Sequence, residues 1–245
     1  MTFDPRGPTF ASILSQPADC NANPKSPMPA RVPILRTTVL AAAVCLPVVA
    51  HAHPHVFAEA HLDVVVDAQG HVSVLKHVWR FDDLFSSTVL VEFDKNLDLK
   101  LDDEELQAVA ETVKASLAEY GYFQLVKTGG KAVEMQAPAT MMATFDGQQL
   151  VILFESQPTA PIPLAGKSEF GVYDPTFYTA IDYADDRQMA VQGLPATCTN
   201  KVVRPDPDEA IAQNQATLTE DFFNDPGGND LGSIFATRLE IDCPA

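Results

Sequence analysis

Apolar and polar residues alternate from residue 55 onward, and this pattern predicts a half-buried β-strand. The side chains expected on its inner face are Val56, Ala58, Ala60, Leu62, Val64 and Val66. Those expected on its outer face are His55, Phe57, Glu59, His61 and Asp63. Asp67 is suited to start a type I turn and Gly70 to take a left-handed position, so the strand should end in a three-residue hairpin loop.

The length of this loop decides where the next histidines lie. A three-residue loop places Asp67 opposite His71 and also places His61 opposite His77, on one face of the hairpin. A two-residue loop shifts the pairing by one residue and sends His77 to the other face. The turn residues favour the three-residue loop.

After the hairpin, apolar residues recur at the spacing of a helix. Phe85, Val89 and Phe93 recur at helical intervals behind Asp82, which is placed to cap a helix. A second apolar stripe over residues 106–120 predicts another helix. The acidic residues 94–105 separate the two, so the order is helix, twelve-residue loop, helix, as in an EF-hand.

The remaining chain reads mostly as strands. We expect hairpins at residues 123–135, 140–154 and 189–203, a strand–turn–strand unit at 171–181, a capped helix at 205–218 and a last strand at 233–243. The predicted fold class is α+β. It has a mostly antiparallel sheet, an EF-hand-like helix–loop–helix and a disulfide-tied C-terminal segment.

The front of the chain resembles an export signal. Residues 28–52 combine two arginines, an apolar run at 37–50 and small residues at 50 and 52, which predicts a signal peptide cleaved before His53. Residues 1–27 are then a mis-assigned upstream extension, and residues 53–245 form the mature periplasmic domain. The apolar run of about fourteen residues is too short to cross a hydrocarbon core of about 30 Å, so no direct membrane insertion is expected.

The net charge indicates which classes of partner to expect, and the cysteine content predicts a disulfide. The chain has a net charge of −17, and without residues 1–52 it keeps twelve cationic against thirty-one acidic residues, a net charge near −19. Such a charge repels nucleic acid and anionic membranes and favours cations or a basic partner. Only Cys198 and Cys243 remain in the mature domain, and an even pair in an oxidising compartment predicts one disulfide.

All six histidines lie within residues 51–77, a concentration that predicts a transition-metal site. Its expected ligands are the α-amine and imidazole of His53, with His55, His61 and either Glu59 or His77 adding to them. Pro54 has no amide N–H, which excludes the copper chelate that needs the second amide nitrogen. The competing interpretation is a frayed terminus with scattered surface histidines that bind nothing.

The acidic segment offers oxygen at the positions that a calcium loop uses. The expected donors are Asp94, Asn96, Asp98, the Lys100 carbonyl, Asp102 and Glu105. Leu99 stands where such loops have glycine, and the required left-handed conformation costs a leucine about 1–2 kcal/mol. Calcium should therefore bind about tenfold more weakly than in a glycine loop. The alternative is an acidic turn that only caps the second helix.

Enzymatic activity is not expected. No serine, cysteine or threonine lies in a recognisable nucleophile elbow, and both mature cysteines should be oxidised. A copper oxidoreductase that uses the terminal histidine is a further hypothesis.

Five features of the chain occur together in one known family. They are His53-Pro-His-Val-Phe57, Trp79-Arg-Phe-Asp82, the loop at residues 94–106, Tyr173-Asp-Pro-Thr-Phe-Tyr178, and Cys198 with Cys243. With these features the chain resembles the periplasmic proteins with domain of unknown function 1007. The resemblance implies a periplasmic component of an ABC-type transport system, associated with nickel, cobalt or zinc and with a membrane metal transporter as partner. We therefore expect a periplasmic metal-binding accessory protein. The alternative is a calcium-stabilised interaction module without a transition-metal role.

Overall fold

The computed structural model describes residues 54–215, 217–218 and 230–244. The expected upstream extension, the signal segment and His53 lie outside the described residues. Within the described part, the chain forms two β-sheets and three α-helices, and one hydrophobic core is shared by both sheets and the first two helices. The predicted α+β class and the mostly antiparallel pairing are confirmed.

The elements follow one another along the chain with short connections. The strands are β1 (Val56–Val66), β2 (His71–Phe81), β3 (Gln124–Thr128), β4 (Lys131–Ala132), β5 (Met141–Asp146), β6 (Gln149–Ser156), β7 (Ile162–Pro163), β8 (Gly166–Val172), β9 (Thr179–Asp182), β10 (Met189–Gln192), β11 (Thr199–Val203) and β12 (Arg238–Cys243). The α-helices are α1 (Asp83–Phe93), α2 (Asp103–Leu117) and α3 (Pro207–Asn214). Short 3-10 segments span Ala118–Phe123, Asp186–Gln188 and Asp230–Phe235.

The strands divide between two sheets. The first has the order β10-β1-β2-β6-β5, with β9 also on β1 and β7 also on β2. In it, β9 and β10 lie parallel to β1. The second has the order β11-β12-β8-β3-β4 and is antiparallel in every pair.

This division corrects two predictions about strand pairing. The hairpins at 123–135 and 140–154 do form, yet they join different sheets and so do not extend a single one. The hairpin expected at 189–203 is wrong, because β10 pairs with β1 and β11 pairs with β12. Strands do lie on either side of the turn within 171–181, as expected, and they belong to different sheets. The apolar pattern identified the strands, but it contains no information about distant partners.

The core lies between the two sheets. The first sheet contributes Leu62, Trp79 and Ile152, and the second contributes Phe170 and Leu239, all with at most 1% of their surface exposed. Helix α2 adds a buried stripe to the same core, made of Val109, Val113 and Leu117. Burial of this continuous apolar surface is what holds the sheets and helices together.

The β1–β2 hairpin departs from the predicted register after its turn. The turn itself is as predicted, since the Asp67 N–H donates to the His71 carbonyl at 2.8 Å. The pairing then changes between Val65 and Val66, which marks a β-bulge in the region of Ser73. The extra residue moves every later partner by one.

As a result, His77 lies opposite Leu62, and His61 lies opposite Val78. Because side chains alternate along a strand, His61 and His77 point to opposite faces of the sheet. The predicted pairing of these two histidines is therefore wrong.

Both predicted helices flanking the acidic loop form, and each has a carboxylate cap. Asp82 accepts the Phe85 N–H at 2.9 Å at the start of α1. Its other oxygen accepts the Phe57 N–H at 2.8 Å, so the same carboxylate ties α1 to β1. Asp102 and Glu105 form a reciprocal capping box at the start of α2.

The regular secondary-structure elements in the C-terminal part are shorter than predicted. Helix α3 covers Pro207–Asn214, where residues 205–218 were expected, and β12 begins at Arg238, where a strand from residue 233 was expected. The predicted disulfide between Cys198 and Cys243 is confirmed, and it ties the chain just before β11 to the end of β12. None of the helices in the described part combines the length and apolarity that a membrane span requires.

Replacing Cys198 and Cys243 together with serine is expected to lower the free energy of unfolding by about 4 kcal/mol, because the bridge closes a loop with a sequence separation of 45. Urea unfolding without reductant measures the loss. Reductant should bring the wild type to the stability of the double variant and leave the variant unchanged. Equal stability of the oxidised and reduced wild type would contradict the prediction.

Candidate metal sites

The outer face of β1 carries the predicted polar residues. Glu59, His61 and Asp63 occupy alternate positions there, Glu59 exposed and the other two half-buried. His55 precedes the strand by one residue, about 20 Å from His61 at roughly 3.3 Å per residue. Metal-bound nitrogens lie about 2 Å from the ion. His55 and His61 therefore cannot share one ion, and this part of the predicted ligand set is wrong.

Two glutamines from the parallel strand region fix His61 and Asp63. The Nδ1 atom of His61 lies 2.7 Å from the Gln188 Oε1 atom, and its Nε2 atom lies 3.2 Å from the Asp63 Oδ1 atom. The Gln192 amide donates to the second Asp63 oxygen at 3.0 Å. We call His61, Asp63, Gln188 and Gln192 the His61 cluster.

One tautomer of His61 gives this cluster a pair of facing acceptor atoms. Donation from His61 Nδ1–H to the Gln188 carbonyl oxygen leaves a lone pair on Nε2, which then faces an oxygen of the Asp63 carboxylate. A metal ion at this point would have one nitrogen and one oxygen ligand. Metal-binding histidines commonly have this support, in which the second ring nitrogen donates to a carbonyl or carboxylate oxygen and fixes the tautomer.

Part of this cluster could be predicted from the sequence. Asp63 follows His61 by two residues, so the alternation already placed it on the same face, but its role beside the histidine was missed. The two glutamines approach through a parallel pairing across 127 residues, which no local pattern indicates. Within the described ranges, no group of three or more histidine, cysteine, aspartate or glutamate side chains is arranged to hold a metal.

His77 is placed in the core and away from the other predicted ligands. Only 2% of its surface is exposed, and its ring stacks on Phe154 with centroids 4.4 Å apart. It also meets the edge of Trp79. The sequence contained a signal for this, because His77 has the same parity as the large apolar residues Trp79 and Phe81.

Burial keeps the His77 ring neutral, and a hydrogen-bond chain determines which ring nitrogen carries the hydrogen. The Ser156 hydroxyl donates to the Gln124 side-chain oxygen and lies 3.3 Å from His77 Nε2, so Nε2 is the ring nitrogen that carries hydrogen. Gln124 begins β3, which makes this chain a polar link between the two sheets. Burial lowers the pKa of His77 to about 3, although the hydrogen bond with Gln124 acts to raise it.

The remaining two described histidines lie at opposite ends of the hairpin. The His55 N–H donates to the Tyr178 carbonyl at 2.9 Å, and the two rings lie with centroids 4.9 Å apart. His71 Nδ1 lies 3.6 Å from a carboxylate oxygen of Asp67 in the turn. That pair resembles the His61 cluster in residue type, which makes it a useful control.

The acidic loop folds around the side chain of Asp94, which is buried. Its carboxylate accepts the N–H groups of Asp98 at 3.2 Å and Leu99 at 2.8 Å. Leu99 has a φ of 62°, so it adopts the left-handed conformation expected at this position. Leu97 also has a φ of 62°, and the side chains of both leucines are exposed.

Glu105 closes the other end of the loop. Its two oxygens accept the N–H groups of Lys95 at 2.7 Å and Asp102 at 3.0 Å, and the side chain is buried. These hydrogen bonds are sufficient for a helix-capping turn. A carboxylate oxygen that accepts one N–H keeps a second lone pair, so the donor chemistry also fits a hard cation such as calcium.

Fold and site together define a two-sheet α+β protein with a histidine–carboxylate cluster on one sheet and an acidic loop between two helices. The family described as "Protein of unknown function (DUF1007)" matches residues 38–243, and the chain belongs to this family. A relative from Haemophilus influenzae, described as an uncharacterized protein, is 26% identical over 196 residues, which cover 78% of this chain and 91% of the relative. Neither description names an activity.

His77→Phe is expected to make stability less dependent on pH. The unfolded histidine binds a proton below its usual pKa of about 6.5, whereas the folded one stays neutral down to about 3, so stability is lost as the pH falls between these values. From about pH 7.5 to about pH 5, this residue alone should contribute a loss of about 2 kcal/mol.

Urea unfolding at a series of pH values measures this difference. Phe154→Leu is the matched control, because it disturbs the same stack and should lower stability while keeping the pH dependence of the wild type. An identical pH dependence in His77→Phe and the wild type would contradict the assignment.

Proposed function

We propose that the protein is a periplasmic metal-binding accessory of a transition-metal transport system, with the His61 cluster as its metal site in the described fold. The contact that supports this most strongly is His61 Nε2 facing Asp63 Oδ1 at 3.2 Å, with both residues held by glutamines. One ion between these atoms would bind a nitrogen and an oxygen together. Imidazole and carboxylate suit zinc, nickel, cobalt and copper.

The cluster supplies few protein ligands. His61 and Asp63 provide two, and no third histidine, cysteine, aspartate or glutamate of the described residues is arranged to join them. The rest of the coordination sphere is open to water or to ligands of another protein. An open sphere suits a protein that passes its ion to a membrane metal transporter rather than one that stores it. This role requires no catalytic step.

The N-terminal donors form a separate unit in this proposal. His55 is too far from His61 to bind the same ion, so an ion held by His55 together with the terminal amine is a second one. The acidic composition favours cations throughout, since the net charge is −17. The disulfide is consistent with an oxidising compartment such as the periplasm.

A calcium-stabilised interaction module is the second candidate, and the loop geometry favours it specifically. Leu99 takes the left-handed conformation of the sixth EF-hand position, and Asp94 and Glu105 are buried at the first and twelfth positions. In this proposal helix α1, the loop and helix α2 form an EF-hand-like unit. Asp94, Asn96, Asp98, the Lys100 carbonyl, Asp102 and Glu105 are its calcium ligands.

His61→Ala and Asp63→Asn are each expected to lower zinc and nickel affinity by at least about tenfold, because each removes one of two facing ligands. Gln188→Leu should lower it by about tenfold, because the ring loses the partner that orients it. Titration calorimetry of the exported chain measures these affinities.

His71→Ala is the matched control, since it removes the other histidine that lies beside an aspartate. It should leave both affinities unchanged. Full affinity in His61→Ala, with loss only when His53 and His55 are replaced, would contradict the His61 assignment and move the site to the N-terminus.

Glu105→Gln is expected to weaken calcium binding more than Asp102→Asn, because the twelfth position supplies two oxygens and the ninth often acts through water. Calcium titration followed by circular dichroism measures the difference. The unfolding of each variant in excess chelator separates loss of the capping box from loss of calcium. Equal calcium affinities in the two variants and the wild type would leave the loop as a capping turn.

A further inference from the structure

Exposed large apolar side chains are concentrated in one short part of the fold. The exposed ones in the described chain are Leu97 (81%), Leu84 (75%), Val91 (74%), Leu99 (73%), Met142 (61%), Phe57 (55%) and Ile211 (38%). The four most exposed all lie within residues 84–99, on helix α1 and the loop that follows it. We call Leu84, Val91, Leu97 and Leu99 the 84–99 surface.

On the helix, this surface is a stripe opposite the core. Leu84 and Val91 are seven residues apart, which puts them on one side of α1 about two turns, or roughly 10 Å, from each other. Phe85 and Val89 occupy the buried side. Helix α1 therefore has apolar residues on both sides, although only one of them contacts the rest of the fold.

The polar residues inside the stripe are turned towards the helix backbone. The hydroxyls of Ser87 and Thr88 donate to the Leu84 carbonyl at 2.8 and 3.0 Å. Their hydrogen-bonding groups are thus already occupied, which leaves the stripe between Leu84 and Val91 weakly polar.

Leu97 and Leu99 lie in the loop that follows the helix, four and six residues after its last residue, Phe93. Both have a φ of 62°, a conformation that glycine and asparagine adopt more readily than leucine. Neither side chain is buried, so neither contributes apolar contacts to the core. The stability of the isolated fold therefore gives no reason for leucine at either position, whereas a bound partner would bury both side chains.

The surroundings of this surface specify the charge of the partner. Residues 82–105 contain nine carboxylates and two lysines. We propose that the 84–99 surface docks a basic amphipathic helix of a partner protein, whose apolar side chains cover the stripe and whose lysines and arginines meet the surrounding carboxylates. Anionic lipid would be repelled. The proposal does not depend on metal at the His61 cluster or in the acidic loop.

Synthetic helices provide the probes. The first has leucines at helical spacing on one face and lysines elsewhere; the second has glutamates in place of the lysines; the third has alanines in place of the leucines. Binding to the full exported chain is measured by fluorescence anisotropy in excess chelator. The leucine–lysine helix should bind, and the other two should bind at least tenfold more weakly.

The double variant Leu97→Asn with Leu99→Asn should weaken the leucine–lysine helix at least tenfold, and so should Leu84→Gln. Asparagine tolerates the left-handed conformation, so the loop keeps its fold. Met142→Asn is the matched control, because Met142 is also exposed but lies on β5, and it should leave binding unchanged. His61→Ala should also leave it unchanged, which separates this proposal from the metal site.

Three results would overturn the proposal. The first is the absence of the expected specificity: either the lysine and glutamate helices bind equally, or the Leu97, Leu99 and Leu84 variants bind the leucine–lysine helix as tightly as the wild type. The second is a monomer–dimer equilibrium in sedimentation that the double variant abolishes, because the surface would then belong to a second copy of the chain. The third is binding to phosphatidylcholine vesicles that the same variant abolishes, because the surface would then contact lipid.

Discussion

The bulge in β2 is the constraint on which the rest of the fold depends. With it, Leu75, His77, Trp79 and Phe81 point into the core, while His61 and Asp63 remain on the outer face of β1. A regular hairpin after the same turn would turn the opposite set inward, including Lys76 and Arg80. Burying those two charges without partners would cost far more than the local irregularity of one bulge. The bulge therefore determines both which side chains of β2 form the core and which side chains of β1 form the outer-face cluster.

Local signals made much of the fold predictable. The alternation of β1, the turn at Asp67 and the helix cap at Asp82 each depend on a few neighbouring residues, and the Cys198–Cys243 pair followed from a count of cysteines. The register of β2 was not predictable from its turn, because the bulge arises further along the strand. The parity of His77 with Trp79 and Phe81 was the better guide, since burial of aromatic residues outweighs turn geometry.

The same distinction applies to the candidate sites. The acidic loop is built from consecutive residues, so its position between two helices and the left-handed conformation of Leu99 were expected from spacing alone. The His61 cluster joins β1 to a strand more than a hundred residues later, and its glutamines became visible only with the parallel pairing. Asp82 connects the two regions, because it caps α1 and also accepts the Phe57 N–H of β1. A partner docked on α1 would therefore contact a helix that is tied directly to β1, the strand that carries His61 and Asp63.

The Cys198–Cys243 bridge gives this protein different properties in reducing and in oxidising surroundings. A chain made in a reducing cytosol has free thiols, so the end of β12 is held to the start of β11 by hydrogen bonds alone. If export follows as proposed, the precursor crosses in its less stable form, and oxidation afterwards adds the link. Translocation then proceeds on a chain that unfolds readily, whereas the delivered protein resists reopening at its C-terminal strand.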